Sequence, residues 1–316
     1  MSQYQCSVVI VQYYPSLEKI KRTLNSILCQ KNCSYEIIIA DDGSENTYFK
    51  EIEKYFQNIQ FKDFKLVENK INGGTVKNIL SGLAVATGKY VRVIAPGDML
   101  YNDMTLSHII DFMDKNDAKE IFGKMVCFQE TEKNVEFFPK SIPVDIKPYV
   151  DDDKEKIKKN LLNYGDNISG ASFTWNREYY TECLNRICNK VIYLEDCINL
   201  FTIYDGHSIF YLDEYVTWYE YGTGISTKGS DKWTLLIWKD WKAFFQILYS
   251  RFSNDLELRR AKKYWDTRKK RGLLGKVIDN ILHIDRFIYY KFKGKPDAIN
   301  EDDIDKESLF EFLKCE

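Results

Sequence analysis

The first hundred residues alternate short β-branched runs with stretches of helical period, and few architectures accept that alternation. Ser7-Val8-Val9-Ile10-Val11 is too short for a helix and apolar enough for a strand buried on both faces. Leu17 to Gln30 follows, with Leu17, Ile20, Leu24, Ile27 and Leu28 on one stripe, the mark of an amphipathic helix. Glu36-Ile37-Ile38-Ile39-Ala40 is a second apolar run, Phe64 to Glu68 a third and Tyr90-Val91-Arg92-Val93-Ile94 a fourth. Asn72-Gly73-Gly74-Thr75 breaks the chain before a helix predicted over about Val76 to Thr87, with Gly88 as its cap. This order predicts an α/β fold with a mostly parallel, Rossmann-like sheet and covering helices. Ligands of such sheets sit beyond the carboxyl ends of the strands. Here those ends carry Gln12-Tyr13-Tyr14, Asp41-Asp42 and Gly97-Asp98.

Composition narrows the function classes. With 44% hydrophobic and 29% charged residues the chain of 316 is globular rather than disordered. Forty-five basic against 47 acidic residues leave no global field for nucleic acid, so no nucleic-acid partner is expected. The eight cysteines form no CxxC pair, and reduced thiols are the plain reading. Neither a signal-type N-terminus nor an apolar window of about 18 residues is present, so a cytoplasmic location is expected. The absence of GxGxxG after the first strand, and of GxxxxGK[ST] anywhere, disfavours nicotinamide dehydrogenases and P-loop enzymes. Beyond Tyr101 the pattern is less regular, with a helix over Met104 to Asn116 and strands over Ile121 to Gln129 and Ser208 to Leu212. The last third changes character. Lys232 to Phe252 is rich in Trp and Phe, and Arg259 to Lys276 holds nine basic residues against one acidic, Asp266. Leu273, Leu274, Val277, Ile278, Ile281 and Leu282 form an apolar stripe beside these charges, and a second basic stretch runs from Arg286 to Lys295. Three parts are therefore expected: residues 1–100, 101–231 and a helical, basic extension over 232–316.

Several segments taken in order are familiar. They are Ser7 to Ile10 with Gln12-Tyr13-Tyr14, Ser26 to Gln30, Glu36 to Ser44, Asn69 to Asn78, and Gly88-Lys89-Tyr90-Val91. Together they resemble the family 2 glycosyltransferases of GT-A fold, densely over residues 5–105 and more thinly to about 230. The resemblance implies that Asp42 contacts the nucleotide base with Asp41 in support. The chain near Val11, Gln12 and Tyr13 would form the other side of that pocket, and Lys77 and Gly97 would lie by the nucleotide. The segment Ala95-Pro96-Gly97-Asp98 departs from the family, which places a D-x-D cluster here; only Asp98 remains to hold Mn²⁺ or Mg²⁺. Such an ion keeps several waters and needs few protein ligands when a diphosphate supplies oxygens.

Glu195-Asp196, after Val191-Ile192-Tyr193-Leu194, resembles the family's base motif, with Asp196 taking the acceptor proton and Glu195 beside it. Taken alone, Asp-Asp-Gly-Ser is an Asx turn and Glu-Asp a charge pair favoured at a helix start. Trp218 to Thr227 resembles a loop that closes over a bound diphosphate. The function implied is inverting transfer of a sugar from a nucleotide-diphosphate donor, of UDP type, to a glycan or lipid-linked acceptor in cell-surface polysaccharide assembly. Its basic C-terminal helices would meet the inner-membrane surface. Two rivals follow from the same residues: a non-catalytic sugar-nucleotide or glycan-binding subunit, motivated by the altered metal motif, and, more weakly, a nucleotidyltransferase.

Overall fold

A computed structural model describes residues 3–132, 134–138, 143–222, 231–267, 277, 281, 283–293 and 299–314. Its first part runs β1 (Cys6–Gln12), α1 (Leu17–Leu28), β2 (Tyr35–Asp41), α2 (Phe49–Asn58), β3 (Phe64–Glu68), α3 (Thr75–Leu83) and β4 (Tyr90–Ile94). Then come β5 (Met99–Leu100), α4 (Thr105–Asn116), β6 (Glu120–Glu130), β7 (Val135–Phe138), α5 (Lys147–Val150), α6 (Lys154–Lys159), β8 (Phe173–Asn176) and α7 (Arg177–Ile187). A single 3-10 turn, Glu195–Ile198, leads into α8 (Asn199–Tyr204) and β9 (Ile209–Glu220). The described C-terminal helices are α9 (Asp231–Arg251), α10 (Leu256–Thr267), α11 (Ile284–Phe292) and α12 (Lys306–Leu313).

The strands form one sheet in the order β3-β2-β1-β4-β8-β6-β9-β5, with β7 paired to β6. β1 pairs in parallel with both β2 and β4, and β2 with β3. β8 then joins β4 and β6 antiparallel, while β9 runs parallel to β6. The chain leaves β1 toward β2 and β3, then crosses back to place β4 on the other side. That reversal opens a crevice at the carboxyl ends of β1 and β4.

Both faces of the parallel strands are covered, as their unbroken apolar runs require. Val9, Ile38 and Val91 face a core with Ile79 of α3, Leu184 of α7 and Phe244 of α9. Val8, Ile10, Ile37 and Ile39 face the opposite core with Leu24 of α1, Phe56 of α2 and Ile109 of α4. A third cluster joins Met99, Phe128 and Trp218 to Leu309 and Phe312 of α12. Helices α9 and α12 thus pack against different regions of the sheet.

Several elements depart from the sequence expectations. The helix after Gly74 ends at Leu83, and Gly88 does not cap it. Gly88 instead crosses β1 so closely that a Cβ there would lie 2.4 Å from Ser7 N and 2.6 Å from Cys6 C. Helix α2 was not expected; it buries only Ile52 and Phe56, too thin a stripe to register as a period. The expected strand at Ser208 to Leu212 continues to Glu220, because β6 offers it a parallel partner along that whole length. Arg92, in the middle of an apolar run, is fully buried. It donates to Phe173 O and Thr217 Oγ1, tying β4 to the opening of β8 and to β9, and burial pulls its guanidinium down to about 10.

Candidate active site

At the end of β2 the two adjacent aspartates do different work. Asp41 is fully buried; its Oδ1 accepts Ser44 N at 2.7 Å and its Oδ2 accepts Gln12 Nε2 at 3.1 Å. It closes the turn and holds Gln12, whose Nε2 also donates to Thr47 O at 3.0 Å and whose Oε1 is buried without a partner. Asp42 reaches forward instead. Its two oxygens accept Gly73 N and Gly74 N, each at 2.8 Å, and so fasten β2 to the start of α3. Burial raises its carboxyl above the ordinary range, against the lowering effect of those two N–H groups. Asn78 braces the same corner by donating to Ala40 O at 3.0 Å and Gln12 O at 3.3 Å. Val11 is half-buried in β1, Tyr13 stands half-exposed beside Tyr14, and the exposed Lys77 lies over Gly73.

The turn after β4 is held from two sides. Thr23 of α1 accepts Gly97 N at 3.0 Å and donates to Asp98 O at 2.8 Å. Asp98 Oδ1 accepts Glu220 N at 3.0 Å, which anchors the turn to the end of β9. Gly97 has φ +102°, and a Cβ there would fall 2.1 Å from Glu220 Oε2. Glu220 is itself paired with Lys19 Nζ at 2.6 Å. The donor set for a cation is therefore a single aspartate, and among the described residues no group of three acidic, histidine or cysteine side chains could hold a metal. A hard carboxylate of this kind fits Mn²⁺ or Mg²⁺ as one ligand among diphosphate oxygens and waters, not as a cage.

Glu195 and Asp196 form the other wall. The segment before them bonds directly to the first turn of α3: Val76 N donates to Ile192 O at 3.0 Å. Gly74, with φ +83°, is a glycine because a Cβ would stand 2.2 Å from Ile192 Cγ2. Gly170 lies on the far side, where an added Cβ would meet Glu195 Oε1 at 3.2 Å and Asp196 Cβ at 3.6 Å. The Tyr193 hydroxyl is raised by burial and by the charges of Asp240, Asp42 and Tyr13. Burial and the Asp196 charge raise Glu195 well above a normal carboxylate.

Sequence reasoning did not single out Thr23, Lys19, Glu220, Gly170 or Asp240. Asp240 of α9 accepts three backbone N–H groups of the segment Ile192–Leu194. Its only trace in the sequence is an acid set between Trp238 and Trp241 in an aromatic-rich helix. Of the glycine-rich loop expected over Trp218 to Thr227, positions 223–227 lie outside the described residues.

A family sequence model described as Glycosyl transferase family 2 matches residues 7–184, more than half of the chain, and the chain belongs to that family. It is 30% identical over 118 residues to an uncharacterized glycosyltransferase of Haemophilus influenzae, covering 36% of this chain and 35% of that protein. It is 22% identical over 130 residues to glycosyltransferase GlyG of Streptococcus pneumoniae serotype 4, covering 41% and 42%. The match thus spans well under half the length of these curated relatives. Among solved structures, residues 1–349 of Staphylococcus aureus TarS in complex with UDP superpose with a TM-score of 0.54 at 16% identity, over 84% of this chain and 71% of that one. The same TarS fragment in complex with UDP-GlcNAc gives 0.50 at 16% identity, over 83% and 79%. The shared fold is the GT-A fold that the sequence led us to expect.

The raised Glu195 has a consequence for stability. The folded chain holds this proton more tightly than the unfolded chain, so its contribution is present at acid pH and is lost as pH rises through the raised value. Glu195→Gln has no proton to lose. The difference in melting temperature between variant and wild type should therefore grow in the variant's favour from about pH 5 to about pH 9. A difference that stays constant over that range would show that Glu195 titrates normally.

Proposed function

We propose that the chain is an inverting glycosyltransferase that moves a sugar from a nucleotide-diphosphate donor, of UDP type, to a hydroxyl of a glycan or lipid-linked acceptor. One observation carries the reading. The Val76–Ile192 hydrogen bond joins the Asp42 corner to the segment that leads into Glu195-Asp196, which supports reading the nucleotide-binding and base candidates as parts of one site. UDP and UDP-GlcNAc in the TarS structures support the donor class.

In this mechanism Asp42, Lys77 and the chain at Val11, Gln12 and Tyr13 border the nucleotide, with Gly97 beside it. Asp41 acts behind them by holding Gln12. The acceptor oxygen attacks the anomeric carbon as Asp196 takes its proton, and the bond to the diphosphate breaks with its electron pair leaving on the nucleotide. Glu195, kept neutral, adds no second charge beside that base. A divalent cation held by Asp98 would supply charge neutralisation for the departing diphosphate.

A role in cell-surface polysaccharide assembly, with the basic C-terminal helices on an anionic membrane, belongs to the same proposal. Among the described residues no helix is long and apolar enough to cross a membrane. Support comes from α11, where Phe287 is 67% and Phe292 80% exposed. Of the apolar stripe beside it, Val277 and Ile281 are described and exposed, while Leu273, Leu274, Ile278 and Leu282 lie outside the described residues. The rival reading, a binding subunit, draws on the single-carboxylate cation site.

Release of UDP from UDP-sugars, with and without acceptor saccharides, separates the two readings, because a binding subunit releases none. Asp196→Asn should then lower turnover by about 10²-fold or more while UDP affinity by calorimetry is kept. Asp42→Ala should weaken UDP binding in a protein that still melts cooperatively. Near-normal turnover of Asp196→Asn would move the base elsewhere.

Cation binding should depend on nucleotide. Mn²⁺ titrated into the free chain should bind poorly, and UDP should strengthen it with reciprocal coupling. Asp98→Asn, which keeps an acceptor for Glu220 N, should remove that coupling; tight Mn²⁺ binding without UDP would refute the single-ligand site. For the membrane contact, the full chain should float with vesicles containing phosphatidylglycerol and not with phosphatidylcholine alone. Equal behaviour with both compositions would count against an electrostatic contact.

A further inference from the structure

Helix α9 belongs to the C-terminal third, beyond the matched family region at residues 7–184, yet it reaches the candidate base. Asp240 lies on this helix and is only 3% exposed. Its Oδ2 accepts three consecutive backbone N–H groups: Ile192 at 3.1 Å, Tyr193 at 2.6 Å and Leu194 at 3.2 Å. Successive N–H groups converging on one point make a concave anion site, here filled by the protein's own carboxylate. The next residue is Glu195, followed by Asp196. A second contact from the same helix meets this segment where Trp233 packs edge-on to Tyr193, ring centroids 5.3 Å apart at 89°. On its other side the segment is bonded through Ile192 O to Val76. Its backbone is thus gripped between α3 and α9.

We infer that Asp240 is a positioning residue for the Glu195–Asp196 pair, setting the backbone from which both carboxyls project. Three donors directed at one oxygen call for full negative charge, since charge-assisted hydrogen bonds are the stronger kind. A neutral amide oxygen at the same place would hold the segment less firmly, and an apolar side chain would release it. Small displacements of a reacting group carry large rate penalties, which is how a residue that does not touch substrate can control turnover.

The inference rests on the function proposed above, and the test separates the two. Asp240→Ala and Asp240→Asn are made in the full chain and assayed with whichever UDP-sugar the wild type hydrolyses or transfers. Asp240→Ala should lower kcat by about 10²-fold while donor KM and UDP affinity stay within about twofold. Asp240→Asn, which keeps an acceptor oxygen, should recover about tenfold of that loss. Wild-type turnover in Asp240→Ala would overturn the inference. So would a parallel fall of kcat, UDP affinity and melting temperature in both variants, which marks general loss of structure. If Asp240→Asn turns over as fast as the wild type, the charge-dependent grip is refuted as well. A wild type that releases no UDP from any donor would instead refute the functional reading itself.

Discussion

Burial of β1, β2 and β4 on both faces is the constraint from which the site follows. Val8, Val9, Ile10, Ile37, Ile38, Ile39 and Val91 have no exposed surface, so these strands offer chemistry only at their ends. The two ends are not equivalent. At the amino end, burial opposes ionisation of Glu36, but Lys65 Nζ at 2.6 Å, Thr87 and Ser7 Oγ at 2.7 Å outweigh it and hold the carboxyl below its ordinary range. That carboxylate is paired with a cation and its role is structural. At the carboxyl end Asp42 accepts the N–H groups of Gly73 and Gly74, and burial raises it. An acid held by backbone dipoles at a strand-order reversal is where a polar ligand can be received.

Two glycines at positive φ make close approaches in this region. Gly74 against Ile192 and Gly97 against Glu220 leave no room for a Cβ without displacement of a neighbour. Between them they bring together the end of β2, the turn after β4, the tail of β9 and the segment before α8. The altered metal motif fits the same picture. Gly97 gives its space to a Glu220 already paired with Lys19, and the one remaining aspartate spends an oxygen on Glu220 N.

The C-terminal helices are part of this machinery. Phe244, Phe245 and Leu248 of α9 are buried in the core that also contains Ile79 and Leu184, each contributing about 1.5–3 kcal/mol by burial. That packing sets the position of Asp240. Leu309 and Phe312 of α12 close the separate cluster around Trp218. Buried apolar residues of α9 and α12 therefore share clusters with residues of the sheet.

Local periodicity was enough to place β3 and β4 at their observed bounds and to start α1 at Leu17, because strands buried on both faces and a full amphipathic stripe announce themselves in consecutive residues. The order of those elements and the polar tips at Gln12, Asp41-Asp42 and Asp98 were legible too, and with them the fold and the sheet edge at which the candidate site is proposed. Helix α2 was not, since two buried side chains make no period; nor was β8, whose four residues are stabilised by β4 and β6 rather than by their own pattern. What separates Asp41 from Asp42 is which oxygen meets which N–H, a matter of strand register and of a loop 30 residues away. Asp240 lies 44 positions beyond Asp196 and influences it only because α9 packs under the Ile192–Leu194 backbone. Sequence determined which residues could ionise, bond or bury themselves; tertiary packing alone decided which met, because hydrogen bonds and desolvation act through space over a few ångströms and leave no periodic mark along the chain.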